Sequence, residues 1–344
     1  MRRKILVVIT LGIAAALYAG YWYSAAEVVR RGLLDWSAAR RSEGFTIGWD
    51  RIEVGGFPFA LRVAIEKPIF GQSRIEPGYE ARGPLLVGEA RPWALGQWHI
   101  TAAQGGTLAV QPGPERPAID LAAASLDGTV MPGQDGDATT NAGTDVTLAA
   151  EHLTVSGQTS LAIAYAVARA RIPGGAVASH LDTWLSASFA LDGVALPVTV
   201  PPLGSTVERI AANLAIKGTI PGGARRQALA AWRDDGGTLE LESFALAWGK
   251  LALDAKGTVA LDAALQPLGA LTATIRGYGQ IIDALVATGN LKAGDAALVN
   301  LGLGVLAKPA PDGQYQLDAP LTLQNGQVYL GPVRLARMPS FVWE

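Results

Sequence analysis

GTLELESFALAWGKLALDAKGTVALDAALQPLGALTATIRG, residues 237–277, decides the fold. Leu239 and Leu241 alternate with Glu240 and Glu242. Phe244, Leu246 and Trp248 follow, then Leu251 and Leu253, Val259 and Leu261, and Leu271, Ala273 and Ile275. A period of two puts these apolar side chains on one face of an extended chain. A one-residue slip would turn every buried side chain outward, so the parity resets read near Ser243, Gly249, Gly257 and Gly269 each predict a turn or bulge. The stretch reads as an antiparallel β-meander.

The same period extends in both directions. Phe45, Ile47 and Trp49 share a face, then Ile52 and Val54. After Gly55-Gly56, Phe57, Phe59, Leu61, Val63 and Ile65 alternate with Ala60, Arg62, Ala64 and Glu66. This predicts a hairpin or bulged bend at the paired glycines, with Phe57 and Phe59 facing inward at the start of a long strand. Further strands are expected over 84–90, 97–103, 106–111, 118–130, 145–157, 159–172 and 184–191. Asn325-Gly326 between Leu321-Leu323 and Val328-Leu330 signals a final hairpin. Helical spacing predicts short helices around 228–233, 280–288 and 293–307. The polar segment PGQDGDATTNAGT (132–144) reads as a surface loop. Its Asp135 and Asp137 lack the downstream Glu of a calcium loop.

Composition agrees. Of 344 residues, 49% are hydrophobic, 17% are charged, 41 are Gly and 20 are Pro, as many short strands with tight turns require. A net charge of −2 offers no polybasic field for nucleic acid. The absence of cysteine excludes disulfides and thiolate metal sites.

The N-terminus sets the compartment. Arg2-Arg3-Lys4 precedes residues 5–23, which carry no charge. That run rises about 28 Å as a helix, close to the hydrocarbon thickness of a bilayer. The basic flank stays cytoplasmic and sends the remainder outward. Tyr18, Tyr21, Trp22 and Tyr23 stand at the far end like an interfacial aromatic belt. Cleavage after Ala14-Ala15-Ala16 is the rival reading, and the apolar run continues past it. Val28, Val29, Leu33, Trp36 and Ala39 then recur at helical spacing. The expected layout is a cytoplasmic stub (1–4), a span (5–23), an amphipathic linker helix (24–43) and a β-rich region (44–344), with room for two lobes, 44–200 and 201–344. The expected class is mainly β, with antiparallel meanders and curved sheets, a few packing helices and one N-terminal transmembrane helix. The expected site is the inner membrane, single-pass, with the bulk of the chain periplasmic.

Signals for chemistry are weak. His99, His152 and His180 have no ligand spacing. No GxSxG elbow or GxxxxGK[ST] loop is present, and Gly302-Leu303-Gly304 lies in an aliphatic run with no preceding strand. Asp234-Asp235 and Glu240/Glu242 read as turn and solvent-face charges, and most tryptophans fall on apolar phases. The expectation is a non-enzyme without metal or cofactor.

The GWDRIEVGGFPF segment (48–59), the block at 231–279 and the ending NGQVYLGPVRLARMPSF (325–341) resemble the domain of unknown function 2125 family of alphaproteobacterial membrane-anchored proteins, over nearly the whole chain. That family has no established activity, so the resemblance supplies no catalytic residues. A weaker resemblance, to AsmA-like envelope proteins, rests on the anchor, the GxLxL strands and the near-terminal hairpin. It implies long curved sheets with apolar interiors and phospholipid handling. The expected function is therefore non-enzymatic lipid binding or handling, with the membrane, a phospholipid or an envelope protein as partner. The alternative is a structural scaffold that binds a protein. Phe57, Phe59, Leu61, Trp248 and Leu251 are the candidates to line an apolar groove.

Overall fold

The computed structural model describes residues 2–73, 77–113, 117–133, 143–174, 179–287, 289, 291–309, 315–330, 333–338, 341 and 343. Contacts cluster into two compact units, Met1–Pro132 and Gly133–Glu344. The expected lobe limit at 200/201 falls inside the second unit, between two paired strands. The calcium-like Asp135 and Asp137 lie outside the described residues.

The first unit begins with α1 (Arg2–Ser42), one unbroken helix that joins the expected span to the expected linker. The helix stops where Gly44 takes a φ of 93°, and the Gly44 and Phe45 amides cap Arg41 and Arg40 carbonyls at 3.0 and 3.1 Å. Among the described residues ten strands follow: β1 (Thr46–Gly48), β2 (Arg51–Gly55), β3 (Leu61–Glu66), β4 (Ile69–Gln72), β5 (Gly78–Arg82), β6 (Leu85–Arg91), β7 (Ala94–Ala102), β8 (Gly106–Gln111), β9 (Ile119–Ala123) and β10 (Ser125–Pro132). They pair as two half-sheets, β1-β4-β5-β8-β9 and β2-β3-β6-β7-β10.

Each sequence neighbour pair, such as β3 and β4, is one long strand broken once. The breaks at Trp49-Asp50, Lys67-Pro68, Gly83-Pro84, 103–105 and Ala124 form a crease that crosses the meander. Backbone bonds bridge it: the Asp50 amide to Glu66 at 2.9 Å, the Lys67 amide to Pro84 at 2.9 Å and the Gly83 amide to Pro68 at 3.3 Å. Lys67, at a φ of 47°, also pairs with Asp50 at 2.6 Å, and that hydrogen bond raises its ammonium above the usual value. Both side chains are exposed, so the pair adds little stability. Helix α1 lies across the crease. Trp22 and Ala26 bury Leu61 of β3 beside Val54, Leu95 and Trp98, while Trp36 stacks on Phe70 of β4 at 6.1 Å.

The second unit is a wider meander: β11 (Thr144–Ser156), β12 (Ser160–Ile172), β13 (Thr183–Val200), β14 (Gly204–Lys217), β15 (Thr238–Trp248), β16 (Leu251–Leu261), β17 (Pro267–Arg276), β18 (Lys308–Pro309), β19 (Tyr315–Gln324), β20 (Gln327–Leu330) and β21 (Val333–Arg337). Among the described residues three helices interrupt it: α2 (Arg225–Asp234), α3 (Tyr278–Ala287) and α4 (Ala293–Leu306). The sheet order is β11-β12-β13-β14-β15-β16-β17-β19-β20-β21, with β18 beside β19.

Two of the four expected parity resets are real. Register shifts at Ser243, where Leu241 and Phe244 flank a bulge, and the chain turns at Gly249. Gly257 and Gly269 instead sit inside continuous pairing, opposite Leu271 and Val259. They keep the parity of their neighbours, and a Cβ at either would press on the facing backbone, so these glycines serve a close approach between strands. Asn325 and Gly326 both hold positive φ, 52° and 66°, as the tight hairpin turn requires. Asn325→Ala should weaken the β19–β20 hairpin by about 1 kcal/mol, read as amide exchange about fivefold faster in β20 alone.

Candidate functional site

Cross-strand register shows how the second unit sorts its side chains. One row runs Ala166, Leu191, Ile210, Leu246, Leu253, Ile275, Leu317 from β12 to β19. Two residues along lies Leu148, Ala168, Phe189, Ala212, Phe244, Ala255, Ala273, Ala319. A third row carries Leu214, Leu241 and Leu271, and a fourth Ile216, Leu239 and Val259. All occupy one face. The opposite face carries cross-strand polar pairs: Arg209 with Asp192 at 2.7 Å, Arg276 with Asp254 at 3.1 Å, Thr274 with Asp318 at 2.9 Å and Asn213 with Ser243 at 2.6 Å. Polar pairs on one face and apolar rows on the other fix the register.

A second crease shapes this face. Pairing lapses along His152, Ala164, Gly193 and Glu208, and His152 and Gly193 adopt φ of 49° and 65°. Beyond that line the opposite parity turns inward, so Leu153, Ile163, Val194 and Val207 join the cluster that holds Ala166, Leu191 and Ile210.

Cover is uneven. Over β16, β17 and β19, helices α3 and α4 supply Tyr278, Ile281, Ala284 and Leu303, which bury Leu251, Ala273, Ile275 and Leu317. Toward β11–β13 the face opens: Leu148 and Ile172 are each 50% exposed, and Phe189 is exposed beside them. The covering helix is apolar on its outer side too, with Leu298 and Leu301 each 70% exposed. Trp248 touches both clusters, and its buried indole N–H has no hydrogen-bond partner among the described residues.

The sequence-derived lining residues separate. Trp248 and Leu251 pair directly across β15–β16 and belong to the covered end of this face. Phe57, Phe59 and Leu61 belong to the first unit. Leu61 is fully buried beneath Trp22 and is core. Phe57 and Phe59 are not strand residues: β3 begins only at Leu61, and they sit in the β2–β3 turn, where Phe59 is 76% exposed. Proline between them and the bend at Gly56 move the start of the strand four residues, from Phe57 to Leu61. The residues that open the face, Leu148, Ile172 and Phe189, were not singled out from the sequence. Their signal is the register: Leu148 and Phe189 both pair with the small Ala168, and Ile172 lies farther along the same face of β12, which only the strand pairing reveals.

Among the described residues no three His, Asp or Glu groups come together as a metal site would need. His99 meets Asp127 at 3.1 Å on an exposed surface, and His152 and His180 lie in the second unit. A cleft of about 490 Å3 in the first unit, at the ends of β4, β5 and β8, is lined by Gln72, Tyr79, Glu80 and Gln111 among small residues.

Helix α1 alone is long and apolar enough to cross a membrane among the described residues, and residues 4–17 project exposed from the first unit. No curated protein and no solved structure matches the chain. A family match covers residues 22–339, and so this chain, a strand-rich protein with an apolar N-terminal helix, belongs to the family described as uncharacterized protein conserved in bacteria (DUF2125).

Proposed function

We propose that this protein is a non-enzymatic lipid-handling module held by α1 in the inner membrane, with both β-rich units in the periplasm. The observation that carries the reading is the apolar face of the second unit, continuous over β12–β19 and only partly covered by α3 and α4. Aliphatic rows with an open end suit an acyl chain, which needs apolar contact and little directional bonding. The unpaired indole N–H of Trp248 is a donor of the kind an ester carbonyl satisfies. The strand pattern shared with AsmA-like envelope proteins points the same way, as analogy.

A photoactivatable phospholipid, incorporated into membranes carrying the full chain, separates this from scaffolding. Adducts should map to β11–β14 as well as to α1. Phe189→Glu should cut the β11–β14 adducts roughly tenfold, since a carboxylate resists transfer into apolar surroundings, and leave those on α1 unchanged. Adducts confined to α1 would defeat the lipid reading and leave a scaffold that binds a protein partner.

A further inference from the structure

The β2–β3 turn that holds Phe57 and Phe59 has a use of its own. Three helix side chains grip two turns of the first unit. Tyr18 Oη donates to the Pro58 carbonyl, Trp22 Nε1 to Ala60 at 2.9 Å, and Tyr21 Oη to Pro92 at 2.6 Å. Pro58 and Ala60 belong to the β2–β3 turn, and Pro92 to the β6–β7 turn. Phe57 is wedged among Tyr18, Trp22 and Tyr23, with centroids 6.4, 5.5 and 5.9 Å away. Each turn also presents an aromatic outward, Phe59 and Trp93, the latter 62% exposed.

Depth follows from the helix. Tyr18 lies thirteen residues past Ile5, the start of the uncharged run, hence about 20 Å along the axis. Tyr18, Tyr21 and Trp22 therefore lie in the last turns of the segment that crosses the bilayer, and both turns are fastened to them. The first charges come one turn later. Glu27 binds Arg30 at 2.9 Å and Arg31 at 2.6 Å. Those hydrogen bonds, from Arg30 first, hold its carboxyl at about 2, so this cluster is ionised and belongs in water. The turns sit below it, where aromatic rings favour the boundary between headgroups and acyl chains.

We propose that the β2–β3 and β6–β7 turns are a second membrane contact, with Phe59 and Trp93 inserted into the outer interface of the bilayer that α1 spans. The inference rests on α1 spanning, and it is independent of any lipid carried by the second unit. Insertion is apolar, so it persists in neutral lipid.

The chain has no cysteine, so each introduced thiol is unique. Full-length Phe59→Cys, Trp93→Cys, Asp120→Cys and Ile9→Cys, labelled with a small fluorophore, are placed in phosphatidylcholine nanodiscs with nitroxide lipids of graded depth. Phe59 and Trp93 are exposed, so their replacement removes little packing, and a thermal melt matching the parent confirms the fold. Labels at 59 and 93 should be quenched by nitroxide near the top of the acyl chain and resist aqueous iodide on the order of fivefold better than the label at 120. Iodide access at 59 and 93 equal to that at 120, without lipid quenching, overturns the proposal. Quenching at one turn only overturns its two-turn form. Absence of deep-nitroxide quenching at residue 9 would instead show that α1 does not span.

Discussion

Trp22→Ala should destabilise the first unit by about 3–5 kcal/mol, the range for a large aromatic lost from a core. Trp22 is 3% exposed and seals Leu61. Its ring meets Phe57 edge-on at 5.5 Å, and its N–H satisfies the Ala60 carbonyl at 2.9 Å. Truncation leaves a cavity between helix and sheet and an unpaired carbonyl in the turn. Trp22→Phe keeps most of the volume and should cost about 1 kcal/mol more than an ideal isostere through the lost hydrogen bond. Phe59→Ala is the contrast: in detergent it should change stability by no more than about 0.5 kcal/mol, because an exposed ring contributes little packing. Urea unfolding followed by exchange of β3 amides ranks the three. A Trp22→Ala loss as small as that of Phe59→Ala would mean that the helix does not pack on this sheet.

Gly105→Ala should cost at least about 3 kcal/mol. The residue sits on the first crease with a φ of 74°, and a Cβ there would collide with the Ala123 carbonyl oxygen and crowd Ala124. Both obstacles are backbone, so neither can rotate away. Gly204 separates the two causes: its φ is 92° and nothing lies within 4 Å of a Cβ. Gly204→Ala should therefore cost only about 1 kcal/mol, the left-handed penalty alone. Thermal unfolding of the two variants measures the difference. Similar losses would show that the strands at the crease do not approach as closely as the structure has them.

Period-two alternation over 237–277 was enough to read the meander, because a half-buried strand writes its burial directly into its sequence. Three of the short helices and the Asn325-Gly326 hairpin were equally plain. What the alternation conceals is curvature. A residue in left-handed conformation, such as His152, switches which parity faces inward without changing the pattern on either side. Leu153 and Ala150 then both turn inward although three residues apart. The error at Phe57 and Phe59 has the same root. Alternation carried through Pro58 looks like strand, while the Ala60 amide closes a turn on the Gly56 carbonyl at 2.9 Å, and the side chains that fasten this turn to the helix, Tyr18 and Trp22, come from about forty residues upstream. Of the five lining residues read from sequence, Trp248 and Leu251 belong to the apolar face, Leu61 to a core, and Phe57 and Phe59 to the turn.

Helix α1 is fixed to the first unit at two distant places, by Trp22 on β3 and by Trp36 on β4. Fourteen residues separate them, about 21 Å of rigid helix. Two such attachments leave no pivot between the apolar N-terminal segment of α1 and the folded unit. A transmembrane helix answers a change in bilayer thickness by changing its tilt. If α1 spans the bilayer as proposed, that tilt is passed on whole, and the angle at which the first unit stands over the membrane is then set by the lipids around residues 5–23 and not by a flexible tether.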